Sequence, residues 1–129
     1  MPERTKKMVL IVEDENTLAE LLMKAFQAEG FEVLRARDGG EGLSLALSHK
    51  PDVMLLDILL PAMDGIGVLE KLREHEWGKA AKVIVLTNLS PNDQIMDEVT
   101  ENTPAYYMVK ANTNIEEIVT KAKEVINQE

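Results

Sequence analysis

Five short, mainly apolar runs punctuate the chain, at residues 8–12, 31–36, 51–57, 82–87 and 105–109. Between them apolar residues return at three- and four-residue intervals. The first pattern is that of a strand covered on both sides, the second that of a helix with one buried face. After the first run Leu18, Leu21, Leu22, Ala25 and Phe26 share a face until Gly30 ends the segment. A second helix is predicted over 40–48, and a third after Asp64, with Ile66, Leu69 and Leu72 inward. A fourth starts at Ser90-Pro91-Asn92-Asp93, a capping serine, a first-turn proline and an acid, and carries Ile95, Met96 and Val99. Thr113 and Glu116 form a capping-box signature for the last helix, whose apolar face is Ile115, Ile118, Val119, Ala122, Val125 and Ile126.

Strand and helix therefore alternate five times. That order predicts a parallel sheet with helices on both faces, because each crossover must carry a helix and crossovers are right-handed. Open sheets of this kind bind ligands beyond the carboxyl ends of their strands. Glu13 and Asp14 end the first run, Asp57 the third, Thr87 the fourth and Lys110 the fifth. Charges at the ends of buried strands are costly unless something is meant to reach them. Parallel neighbours would gather three carboxylates and an ammonium at one rim, the makings of a site for a metal and a phosphoryl group.

Composition narrows the function. A chain of 129 residues suits one domain, expected to span 1–129 with a core of about 7–128. Its net charge of -9 disfavours direct binding of nucleic acid. The absence of cysteine excludes disulfides and thiolate metal sites. No run is long enough to span a bilayer, and residues 1–7 do not resemble a secretory signal, so a cytoplasmic protein without membrane insertion is expected.

With these residues in order and at this spacing, the chain resembles the response regulator receiver domains of two-component signalling, the single-domain chemotaxis type among them. The resemblance covers nearly the whole chain. It implies a flavodoxin-like doubly wound (βα)5 three-layer sandwich with strand order 2-1-3-4-5. It implies Asp57 as the phosphorylated residue, and Mg²⁺ held by Asp14, Asp57 and the Leu59 backbone carbonyl, with Glu13 acting largely through a bound water. All-oxygen ligation suits that ion, and three carboxylates within a few ångström repel by about 1 to 4 kcal/mol per pair. Lys110 and the Asn88 backbone amide are implied to hold the phosphoryl oxygens, and Thr87 and Tyr107 to switch. Tyr107 is preferred to Tyr106 because it lies three residues before Lys110 and strand alternation sends the rings to opposite faces. The partners implied are a sensor histidine kinase or histidine phosphotransfer protein and an unknown downstream protein, met through the face of the fourth helix, fifth strand and fifth helix. The expectation is a signalling protein, monomeric or weakly dimeric on phosphorylation, and not an enzyme.

Three positions depart from the family pattern. Ala111 follows Lys110 where a cis-proline is usual, and a trans peptide with a changed loop is expected because a non-proline cis bond costs about 2.5 to 4 kcal/mol. Asn88 replaces a small residue, and Thr103-Pro104 stands where glycine is common. Leu59 and Leu89 bring no polar group to orient water, which predicts slow self-dephosphorylation. A dehalogenase-type phosphatase would need an acid at Leu59, and a flavin binder would need a phosphate loop where Glu13-Asp14-Glu15 stands. The remaining alternative is an interaction module that signals without phosphorylation. His49 and His75 read as surface residues, Trp77 as partly exposed packing and the methionines as core fillers.

Overall fold

The structure is a computed structural model that describes residues 6–61, 63–88 and 104–127. All five predicted strands form: β1 (Met8–Val12), β2 (Glu32–Ala36), β3 (Val53–Leu56), β4 (Val83–Thr87) and β5 (Tyr106–Val109). They pair in parallel in the order β2-β1-β3-β4-β5, the doubly wound order expected. The helices are α1 (Asn16–Ala28), α2 (Gly39–His49), α3 (Gly65–Arg73) and the C-terminal α4 (Ile115–Ile126). The helix predicted from Ser90, with Ile95, Met96 and Val99, lies outside the described residues, as do Leu89 and Thr103.

Side chains alternate across the strands although the runs look uniformly apolar. Val9, Ile11, Val53, Leu55, Ile84 and Leu86 meet Leu22 and Phe26 of α1 and Ile118, Ala122 and Val125 of α4. Leu10, Val12, Met54, Leu56, Val83 and Val85 meet Ala46 of α2 and Val68, Leu69 and Leu72 of α3. Two cores thus sandwich the sheet, which is why the inner strands β1 and β3 are apolar on both faces.

The end of α1 shows how local sequence produces these junctions. Gly30 adopts φ 86, a left-handed conformation suited to glycine. Its N–H donates to the Gln27 carbonyl and that of Phe31 to the Phe26 carbonyl, both at 3.0 Å. The two bonds satisfy carbonyls the helix leaves open. The Phe26 and Phe31 rings then meet edge to face, 5.1 Å apart, so the turn also closes an apolar contact. Full burial of Phe26 contributes about 1.5–3 kcal/mol.

The last helix corrects one expectation. Its cap is Asn114, whose side chain accepts from the Glu117 N–H at 2.8 Å, rather than Thr113 paired with Glu116. Thr113 is extended, and its hydroxyl donates to the Val109 carbonyl at 2.8 Å, so its oxygen serves the preceding turn. Asp38 and Asp64 cap α2 and α3 in the same way as Asn114. Among the described residues no helix is long and apolar enough to cross a membrane.

Candidate metal and phosphoryl site

Register sets the site. Val12 pairs with Ala36 on one side and Leu56 on the other, so the residues that follow β1 and β3 emerge together. The Glu13 N–H donates to the Ala36 carbonyl at 3.0 Å, and the Asp57 N–H to the Val12 carbonyl at 3.2 Å. Glu13 and Asp57 are buried, 2% and 5% exposed, while Asp14 is open to solvent. Ligand oxygens of all three acids lie within 4.8 Å of one another.

Lys110 reaches into this cluster from the end of β5. Its ammonium is 2.8 Å from Asp57 Oδ2 and 2.5 Å from Glu13 Oε1. The opposite oxygens take backbone donors: Leu59 N–H donates to Asp57 Oδ1 at 3.1 Å and Glu15 N–H to Glu13 Oε2 at 3.0 Å. Burial raises the Glu13 pKa above the ordinary carboxylate value, although hydrogen bonds from Lys110 and Glu15 pull the other way. Burial alone would lower the Lys110 pKa, but its bonds to Asp57 and Glu13 outweigh it and raise the value. The stability from this pairing is therefore complete below the unfolded lysine pKa of about 10.4 and lost as pH rises through the folded value. One ammonium offsets only part of the charge of three carboxylates. An all-oxygen donor set with two buried acids fits a small hard divalent cation.

Thr87 ends β4 with no exposed surface, and its hydroxyl oxygen has no hydrogen-bond partner among the described residues. A buried polar atom left this way costs about 1–3 kcal/mol. Asn88 follows, exposed, and its side-chain oxygen accepts from the Ala111 N–H at 3.1 Å. Proline could not supply that N–H. Two of the three departures from the family pattern, Asn88 and Ala111, are thus the two ends of one hydrogen bond. No cis peptide occurs among the described residues, and Lys110–Asn112 forms a short 3-10 turn that still delivers Lys110 to Asp57.

The tyrosines separate as alternation requires. Tyr106 is exposed, with the Lys121 ammonium 4.1 Å from its ring centroid, whereas Tyr107 is half-buried against the core under α2 and α3. His49 and His75 are exposed, and Trp77 is half-buried against the same core. Met8, Met54 and Met108 are buried. Two contacts at the site carry no signal in the pattern of charges: the Asn88 side chain, and Arg35 of β2, whose guanidinium donates to the Glu13 carbonyl.

Comparison with known proteins agrees with this geometry. The family model for the response regulator receiver domain matches residues 9–123. The probable transcriptional regulatory protein TcrX of Mycobacterium tuberculosis is 34% identical over 122 residues, covering 93% of this chain and 50% of that protein. The alkaline phosphatase synthesis transcriptional regulatory protein PhoP of Bacillus subtilis is 40% identical over 93 residues, 72% of this chain and 37% of its own length. The chain thus spans half or less of these relatives. Among solved structures, a CheY-like receiver domain protein from Methanospirillum hungatei superposes with a TM-score of 0.87 at 27% identity, covering 95% of each chain. The receiver domain of the sensor histidine kinase PA1611 from Pseudomonas aeruginosa gives 0.86 at 21% identity, covering 96% of this chain and 100% of its own. That structure has a magnesium ion coordinated in its active-site cleft.

Proposed function

Since the chain belongs to the response regulator receiver domain family of two-component signalling, we propose that Asp57 accepts a phosphoryl group and that the added charge switches a protein-binding face. One observation carries this reading: the Asp57 carboxylate stands at the sheet rim with Lys110 at 2.8 Å and the oxygens of Glu13 and Asp14 within 4.8 Å. Asp14 and Asp57 would hold Mg²⁺ directly, joined by the Leu59 carbonyl, with Glu13 acting largely through a bound water. The bound ion supplies charge neutralisation for the phosphoryl oxygens.

The donor is a phosphohistidine on a sensor kinase or a histidine phosphotransfer protein. An Asp57 oxygen attacks phosphorus, the P–N bond breaks, and the imidazole leaves with the electron pair and takes up a proton. Lys110 and the Asn88 backbone amide hold the phosphoryl oxygens. The Thr87 hydroxyl, without a partner among the described residues, turns to the new group, and Tyr107 rotates into the space it leaves. Two pre-existing arrangements are thereby rebalanced on the face that includes β5 and α4. The switched face contacts protein rather than nucleic acid, because an excess of acids in these residues argues against direct binding of nucleic acid. Leu59, exposed at the rim, offers no polar group to an attacking water, which favours a long-lived acyl phosphate.

Fluoroberyllate, a mimic of the phosphoryl group, tests the reading. Saturable one-to-one binding is expected with Mg²⁺ and none with a chelator. Absence of binding at high Mg²⁺ would leave the interaction module that works without phosphorylation. Tyr107→Ala is expected to be phosphorylated to the wild-type extent yet to lose the preference of a captured partner for phosphorylated over unphosphorylated protein. An unchanged preference in paired pull-downs removes Tyr107 from the switch.

A further inference from the structure

Arg35 is half-buried near the end of β2, and its guanidinium reaches a backbone oxygen of the site. Its Nε and Nη2 donate to the Glu13 carbonyl at 3.3 and 3.0 Å. The reason lies in the ladder between β1 and β2. In a parallel pair a residue that donates to one partner accepts from the amide two residues further along the same partner strand. Glu13 donates to the Ala36 carbonyl, so its own carbonyl is due the amide of Asp38. That strand has already ended at Ala36, and Asp38 is the cap of α2. The Arg35 side chain takes the place of the missing ladder donor.

The carbonyl it holds belongs to the peptide that joins Glu13 to Asp14. Glu13 is then fixed at four points: its N–H by Ala36, its carbonyl by Arg35, and its two carboxylate oxygens by Lys110 and the Glu15 N–H. Asp14 is exposed, and the orientation of its carboxylate depends on that peptide plane. We propose that Arg35 is a positioning residue for the divalent cation: it orients the Glu13–Asp14 peptide, and with it the Asp14 ligand, without touching the ion. This inference rests on the metal site proposed above.

The sign of the effect separates positioning from simple electrostatics. A guanidinium near a cation site repels the cation, so loss of its charge alone would tighten binding. Loss of an orienting hydrogen bond weakens it. Mg²⁺ affinity is measured by calorimetry on the wild-type chain, Arg35→Met, which keeps the aliphatic stem, and Arg35→Lys, which keeps the charge and one donor group. All three are compared at a temperature where circular dichroism shows them folded. The expected result is a roughly tenfold rise in Kd for Arg35→Met, in the range for partners that orient a metal ligand, with Arg35→Lys in between. Equal or tighter binding by Arg35→Met overturns the inference, as does an equal loss in both variants. Should Arg35→Met fail to fold, Arg35→Lys carries the test: a rise of about threefold is expected, the worth of a weak hydrogen bond, and an unchanged Kd overturns the inference. Failure of the wild-type chain to bind Mg²⁺ overturns the proposed function and this inference together, whereas wild-type binding with unaffected variants overturns the inference alone.

Discussion

Asp57→Asn is expected to take up no phosphoryl group from acetyl phosphate in the presence of Mg²⁺, a loss of at least roughly a thousandfold in rate. The two side chains have nearly the same shape, so the surrounding bonds explain why the fold should survive. The Leu59 N–H that donates to Asp57 Oδ1 finds an amide oxygen in the same place, and Lys110 keeps Glu13 as its ionic partner. What disappears is the anionic nucleophile, since an amide oxygen at neutral pH is a poor attacking group. One carboxylate of the three that converge within 4.8 Å is also gone, so Mg²⁺ affinity should fall in the same variant. Intact-mass measurement of wild-type and variant protein after equal incubation checks the first expectation. Persistent uptake by the variant would place the acceptor elsewhere in the chain.

Gly65→Ala is expected to lower folding stability by roughly 3 kcal/mol and to slow phosphoryl uptake as well. Gly65 opens α3 directly behind the nucleophile, and its N–H donates to the Ile58 carbonyl at 2.9 Å. A Cβ at this position would lie 2.4 Å from the Asp57 carbonyl oxygen and 2.6 Å from the Ile58 Cα. Those are backbone atoms of the segment that carries the Asp57 carboxylate, and no rotamer change can relieve the overlap. Either α3 moves off the second core, exposing apolar area of Ile66 and Leu69, or the Asp57–Ile58 backbone shifts and the carboxylate loses its alignment with Lys110. Urea unfolding should show a lower midpoint with an unchanged slope. A wild-type midpoint would mean that the chain yields at this junction far more easily than the packing indicates.

Much of this arrangement was legible because the signals are strong where charge meets apolar sequence. The first strand occupies Met8–Val12, as its run predicts, since Lys6 and Lys7 precede it and Glu13 and Asp14 follow. Other strand ends retreat by a residue or two. The run at 51–57 yields β3 over Val53–Leu56 because Asp57 turns its side chain into the site. The acids and Lys110 announced themselves as ionic groups at the ends of buried strands, and they do converge. The cap of α4 was misplaced by one residue because Thr113 and Asn114 are both good caps, and the choice falls to the turn that claims the Thr113 hydroxyl. Arg35 and the Asn88 side chain were not legible as parts of the site. Their partners are a backbone carbonyl and a backbone N–H, groups every residue carries and no sequence pattern marks. The missing proline after Lys110 signalled a changed loop, but only the folded chain pairs the Ala111 amide with Asn88.

The central claim is that three acids from two loops and one lysine make Asp57 reactive toward phosphorus with the help of Mg²⁺. Its most direct test is peptide mapping by mass spectrometry of the wild-type chain after acetyl phosphate treatment, with Mg²⁺ and with a chelator. A single phosphoryl group on the peptide containing Asp57, present only with Mg²⁺, is the result predicted. No mass gain at saturating donor and Mg²⁺, or a phosphoryl group on a different peptide, would contradict the account.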